Sequence, residues 1–163
     1  MNERDAAKLA AGRAAVREYV RDGMKLGLGS GTTSHWFVRA LGEAVAGGLD
    51  VVGAPTSRGT GALAEEVGVR LAPLDELAPL DITVDGADEI DREGAMIKGG
   101  GACLLWEKIV ANASRRMVAV VDAETAQAAG VRCALVEWGL GEDAGARRIA
   151  RFADLLDLDE EAA

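Results

Sequence analysis

Apolar positions along the chain follow two patterns in turn: a spacing near 3.6 residues, and short continuous runs. Residues 5–21, "DAAKLAAGRAAVREYVR", carry alanines and aliphatics at the first spacing and stop at Asp22-Gly23, which predicts an opening helix. "MKLGL" (24–28) predicts a short buried strand, followed by the turn "GSGTTS" (29–34) and a helix over "HWFVRALGEAVAGG" (35–48). The cycle repeats in the strand "DVVGAP" (50–55), the turn "TSRGT" (56–60) and the helix "GALAEEVG" (61–68). A third apolar run, "DITV" (81–84), enters "DGADEID" (85–91) and "MIKGGG" (96–101). A helix over "ACLLWEKIVANAS" (102–114) and a strand "MVAVV" (117–121) follow. After the turn "DAET" (122–125), the pattern predicts a last strand, "CALVEW" (133–138), and a closing helix, "EDAGARRIARFADLL" (142–156).

Strands alternating with helices predict an α/β fold: a doubly wound, mostly parallel, Rossmann-like sheet with helices on both faces. Ligands of such sheets sit beyond the carboxyl ends of the strands. "GSGTTS", "PTS" (55–57), "DGADEID" and "DAET" all fall there. Neither a repeat nor a linker interrupts the pattern, so residues 1–156 are expected to form one α/β domain, with 157–163 as an acidic tail.

Composition narrows the function. The chain has 163 residues, 49% hydrophobic and 28% charged, which suits one folded domain and excludes a disordered segment. Its net charge of -9 argues against nucleic acid and anionic membrane as partners. An anionic ligand would therefore need a local device working against the general field. Cys103 and Cys133 are the only two cysteines and form no CxxC pair, so neither a disulfide scaffold nor a zinc site is expected. No apolar run reaches membrane-spanning length and "MNERDAAKLA" is not a signal peptide; the expected location is cytoplasmic.

One such device is the glycine turn. Gly29 and Gly31 allow successive backbone N–H groups to face one point, the hydroxyls of Ser30, Thr32 and Thr33 add donors, and the next helix contributes its positive end. The turn lacks the lysine of a Walker A loop and the third glycine of GxGxxG, and no acidic residue follows the second strand. Phosphate binding and an ordinary tight turn both fit it.

Asp85, Asp88, Glu89 and Asp91 crowd four carboxylates into seven positions. Their repulsion is costly unless they meet a metal, a cation or a substrate that exchanges protons. The D-x-D-x-D-G ladder of a calcium loop is missing, and no metal is expected. Farther on, "KGGGACLLWEK" holds Lys98, the glycines Gly99, Gly100 and Gly101, and Glu107. Three glycines pack nothing, which suits close approach of a ligand to the backbone. On a helix, Cys103 and Leu104 share the face of Glu107, and an apolar setting makes a carboxylate a better general base. A plain surface pair of Glu107 and Lys108 is the other reading. His35 is read as packing or capping, Glu89 as capping or solvating its turn, and Trp36, Trp106 and Trp138 as packing.

Taken together, "GLGSGTT", "PTS", "DGADEID" and "KGGGACLLWEK", in this order and spacing from about Lys8 to Asp122, resemble ribose-5-phosphate isomerase of the A type. The resemblance implies an aldose-ketose isomerase of the non-oxidative pentose phosphate pathway, interconverting ribose 5-phosphate and ribulose 5-phosphate through an enediolate without metal or cofactor. Carried over by position, Ser30, Gly31, Thr32 and Thr33 would grip the phosphate with help from Lys8. Asp85 would assist ring opening and relay protons between O1 and O2, and Asp88 would bind sugar hydroxyls or share that relay, with Gly86 and Ala87 beside the substrate. Lys98 would face the enediolate oxygen with Gly99, Gly100 and Gly101 alongside, and Glu107 would move the proton between C2 and C1. The implied partners are a sugar phosphate and a second copy in a homo-oligomer such as a dimer.

Two departures accompany the likeness. Glu124 and Thr125 stand where the family has a Ser-Lys pair that reaches the substrate. "CALVEWGLGEDAGARR" follows the family only faintly, and the family's second, small α+β domain is expected to be absent. These keep a second function open, a sugar-phosphate-binding module without turnover.

Overall fold

The computed structural model describes residues 1–90, 95–121, 134–139 and 145–151. Chain order is α1 (Glu3–Tyr19), β1 (Lys25–Leu28), α2 (Thr32–Ala46), β2 (Val52–Pro55), α3 (Arg58–Glu66), β3 (Arg70–Leu71) and α4 (Leu74–Leu77). Then come β4 (Ile82–Gly86), β5 (Glu89–Ile90), β6 (Met96–Ile97), α5 (Leu104–Asn112), β7 (Arg116–Val121), β8 (Ala134–Gly139) and β9 (Gly145–Arg151).

Seven strands form one sheet in the order β3-β2-β1-β4-β7-β8-β9. The first five run parallel, and β8 and β9 add two antiparallel partners at one edge. Strands β1 and β4 are neighbours, with Leu28 opposite Val84. From β1 the chain winds toward β2 and β3; from β4 it winds the other way toward β7. That reversal opens a crevice beyond the ends of β1 and β4. The expected doubly wound, mostly parallel α/β architecture is what the chain adopts.

The alternation of strand side chains builds two different faces. Leu26 and Leu28 of β1 and Ile82 and Val84 of β4 join Ala11, Ala14 and Ala15 of α1 and Phe37, Val38 and Leu41 of α2 in the main core. A smaller cluster on the opposite face joins Ala54 of β2, Leu77 of α4 and Val110 of α5, with Leu80 just before β4. Helix α1 begins at Asn2, whose side chain accepts from the Asp5 N–H at 2.8 Å. Ser57 caps α3 in the same way, accepting from the Thr60 N–H at 3.1 Å.

Three expectations need correcting. The helix expected over 142–156 is, at 145–151, the strand β9, paired antiparallel with β8. Alanine and arginine are among the best helix formers, but propensity differences amount to less than about 1 kcal/mol per residue, and pairing to a neighbouring strand outweighs them here. Trp106 is not packing: it is 60% exposed. Helix α5 turns Glu107, Val110 and Ala111 inward, so Leu105, Trp106 and Ile109 face outward. Third, β5 and β6 form an antiparallel hairpin within what reads in sequence as a single acidic loop and its glycine-rich continuation. The turn "DAET", with Glu124 and Thr125, lies outside the described residues.

Candidate active site

Three connections meet in the crevice. The first is the β1–α2 turn. Gly31, with φ of 91°, occupies the N-cap of α2 in a backbone conformation that favours glycine. Unlike α1 and α3, α2 has no side-chain cap, and unlike α1 it has no acidic residue in its first turn. Its leading N–H groups are left for a ligand, and the helix dipole makes an anion the favoured one. Lys8 of α1, only 6% exposed, brings an ammonium to this turn and donates to Thr32 Oγ1 at 3.0 Å.

The end of β4 supplies the second connection. Asp85 is completely buried. Its Oδ1 accepts from the Ser30 N–H at 3.1 Å, the Ser34 hydroxyl at 3.0 Å and the Gly86 N–H at 2.7 Å. Gly29 makes this possible, because a Cβ there would lie 2.1 Å from Asp85 Oδ1. Burial pushes the Asp85 carboxyl above its ordinary 3.8; Lys98 opposes that shift and the nearby Glu107 charge adds to it.

The hairpin and α5 form the third. Strands β5 and β6 fold the chain back so that Lys98 reaches over the end of β4, where it donates to the Gly86 carbonyl. Its Nζ lies 2.8 Å from Asp85 Oδ2 and 3.3 Å from Glu107 Oε2. Glu107 stands in the first turn of α5 and is 6% exposed. The other oxygen of Glu107, Oε1, accepts from the Ser30 hydroxyl at 2.8 Å. One ammonium thus sits between two buried carboxylates, which offsets much of their mutual repulsion. The exposed Asp88 is held outside this cluster, accepting from the Gly100 N–H at 2.8 Å.

A cavity of about 230 Å³ connects these parts. Ser30, Gly31, Thr32 and Thr33 line one end, and Gly86, Ala87, Asp88, Lys98, Gly99, Gly101 and Glu107 line the rest. Of the residues expected from sequence, Lys8, Asp85 and Gly100 stand just outside that lining, as supports. Lys8 braces Thr32, Asp85 lies beneath Lys98, and Gly100 holds Asp88. His35 is half-buried in α2 and does not line the cavity; burial and the Arg39 charge push its imidazole below the ordinary 6.5. Sequence reading assigned no role to Ser34 or Thr56. Thr56 Oγ1 lies 3.0 Å from Ser30 Oγ, and the only sequence signal for it was the position of "PTS" at the end of a strand. Among the described residues no group of three or more His, Cys, Asp or Glu side chains could hold a metal ion, and no helix is long and apolar enough to cross a membrane.

Fold and site together define a doubly wound α/β protein with a charged ligand crevice at its switch point. The family model described as ribose 5-phosphate isomerase A (phosphoriboisomerase A) matches residues 52–134. Over 121 residues the chain is 55% identical to ribose-5-phosphate isomerase A 2 of Yersinia pseudotuberculosis, covering 74% of this chain and 51% of that one. Among solved structures, ribose 5 phosphate isomerase A from Neisseria gonorrhoeae superposes with a TM-score of 0.71 at 36% identity, over 77% of this chain and 55% of that one. A D-ribose-5-phosphate isomerase in complex with phospho-erythronic acid gives 0.72 at 30% identity, over 99% of this chain and 86% of that one. The chain belongs to the ribose 5-phosphate isomerase A family. It spans about half the length of the curated relatives it matches.

Proposed function

We propose that the chain interconverts ribose 5-phosphate and ribulose 5-phosphate by proton transfer through an enediolate. The observation that carries this reading is Lys98 held between Asp85 and Glu107 at the wall of a cavity whose far end is an uncapped helix terminus. A mere phosphate binder needs the terminus alone. Moving a proton next to a carbonyl also needs a carboxylate within reach and a fixed cation at the developing oxyanion. Family membership and the named activity of its relatives support the same conclusion.

In this scheme the phosphate sits on Ser30, Gly31, Thr32 and Thr33, steadied by Lys8 through Thr32. The sugar then extends toward Lys98. Glu107 removes the C2 proton of the open-chain aldose and returns it at C1, while Lys98 stabilises the enediolate oxygen. Asp88 accepts from the sugar hydroxyls. Asp85 is buried behind Lys98, so its part in ring opening and in moving protons between O1 and O2 passes through that ammonium group. No metal or cofactor enters any step. The cytoplasm, where sugar phosphates are found, is the proposed setting.

The test is conversion of ribose 5-phosphate in the presence of EDTA, by the natural chain and by Glu107→Gln. Turnover is expected from the former and a loss of at least about a hundredfold from the latter, the usual scale of general-base catalysis. A natural chain that binds the sugar phosphate and does not convert it would instead support the binding module.

A further inference from the structure

The contacts of Glu107 contain a count that does not balance. Ser30 Oγ lies 2.8 Å from Glu107 Oε1 and 3.0 Å from Thr56 Oγ1, and Thr56 Oγ1 lies 3.1 Å from the Leu28 carbonyl oxygen. These are three contacts. The two hydroxyls supply two protons, because each carries one.

With Glu107 ionised, Ser30 donates to the carboxylate, and Thr56 donates either to Ser30 Oγ or to the Leu28 carbonyl. One contact lacks a proton. The Leu28 carbonyl loses little in that case, since it already accepts the Thr56 backbone N–H at 2.9 Å. With Glu107 protonated on Oε1, a third proton enters. Glu107 then donates to Ser30, Ser30 to Thr56, and Thr56 to Leu28, and every contact is filled in one direction.

We propose that Thr56 is a positioning residue for Glu107: its hydroxyl reverses direction together with that of Ser30, so the pair follows the base through both of its proton states. Thr56 does not itself line this cavity, reaching it only through Ser30, and is 2% exposed. The two carboxylate oxygens divide the work. Oε2 faces Lys98, delivered by the hairpin, with Asp85 of β4 across that ammonium; Oε1 accepts from the Ser30 hydroxyl. Lys108, next along α5, is exposed. The transferred proton therefore rests on the hydroxyl side, away from Lys98. The proposal rests on the reading of Glu107 as the base, but its test need not.

Thr56→Val keeps the shape of the side chain and the backbone N–H to Leu28. It takes two hydrogen bonds from the protonated arrangement and one from the ionised arrangement. The midpoint of Glu107, followed by carbon-13 NMR of the carboxyl groups, should therefore fall by roughly 0.5–1 pH unit. The acid limb of the pH–rate profile should move with it, and Thr56→Ser should restore both. An unchanged midpoint, or a shift that Thr56→Ser fails to restore, overturns the proposal whatever the activity. A shifted and restored midpoint in a chain without turnover upholds the hydroxyl pair and overturns the isomerase reading instead.

Discussion

Strands β1 and β4 present opposite characters on their two sides. Toward α1 and α2 they show Leu26, Leu28, Ile82 and Val84, all fully buried. Toward α5 they show Gly27, Gly29, Thr83 and Asp85, and the helix answers with Val110 and Glu107. A two-residue alternation thus assigns cohesion to one side of the same four-residue stretch and chemistry to the other. A small domain tolerates buried charge where small residues leave room for it. The apolar side needs only volume and shape. On the other side small residues are required, because Asp85 occupies the space that a side chain at residue 29 would take.

Three substitutions separate the two sides. The largest effect is expected from Leu28→Ala, which leaves a cavity in the main core beside Val84 and should cost about 2–5 kcal/mol in urea unfolding. Gly27→Ala comes next. Its added Cβ would fall 2.0 Å from Thr83 Oγ1 and 2.7 Å from Val110 Cγ1, so overpacking on the α5 side should cost about 1–3 kcal/mol. If Gly27→Ala proves the milder change only because α5 detaches, a loss of helical signal before global unfolding will reveal it. The smallest effect concerns Asp85→Asn and is a slope. The Asp85 carboxyl is raised above 3.8 by burial, so the folded chain holds that proton more tightly than the unfolded chain does. Its ionisation therefore erodes stability as pH rises from 3.8 through the folded value. Relative to its parent, Asp85→Asn should gain stability across that rise, and unfolding curves that stay parallel over the range would remove the distinction drawn between the two sides.

Much of this was legible in the residues. Strands β1, β2, β4 and β7 and helices α1, α2, α3 and α5 announce themselves through apolar runs, helical spacing and glycine turns. Helix α2 starts at Thr32, three residues before the expected His35, because the turn itself supplies its first residues. The cavity lining was nameable because strand ends converge in a doubly wound sheet, and because the family likeness identified which loop residues matter. Other features were not readable, for identifiable reasons. The two-residue β3 and the single turn of α4 are too short to show a period. The β5–β6 hairpin that delivers Lys98 hides inside a run of charge and glycine. The Ser30–Glu107 bond joins positions 77 apart, and its Thr56 extension was signalled only by the place of "PTS" at a strand end. At β9, composition favoured a helix, but pairing to β8 determines the conformation.

The placement of Lys98 against both carboxylates has one last consequence. In the proposed reaction Glu107 would become neutral as the sugar oxygen becomes negative, with the Lys98 ammonium 3.3 Å from the Glu107 carboxylate. The sum of charges inside the crevice would then stay constant across the proposed conversion. Only the place of the negative charge would change, around a stationary cation, so the surrounding acidic surface would have no new ion to repel.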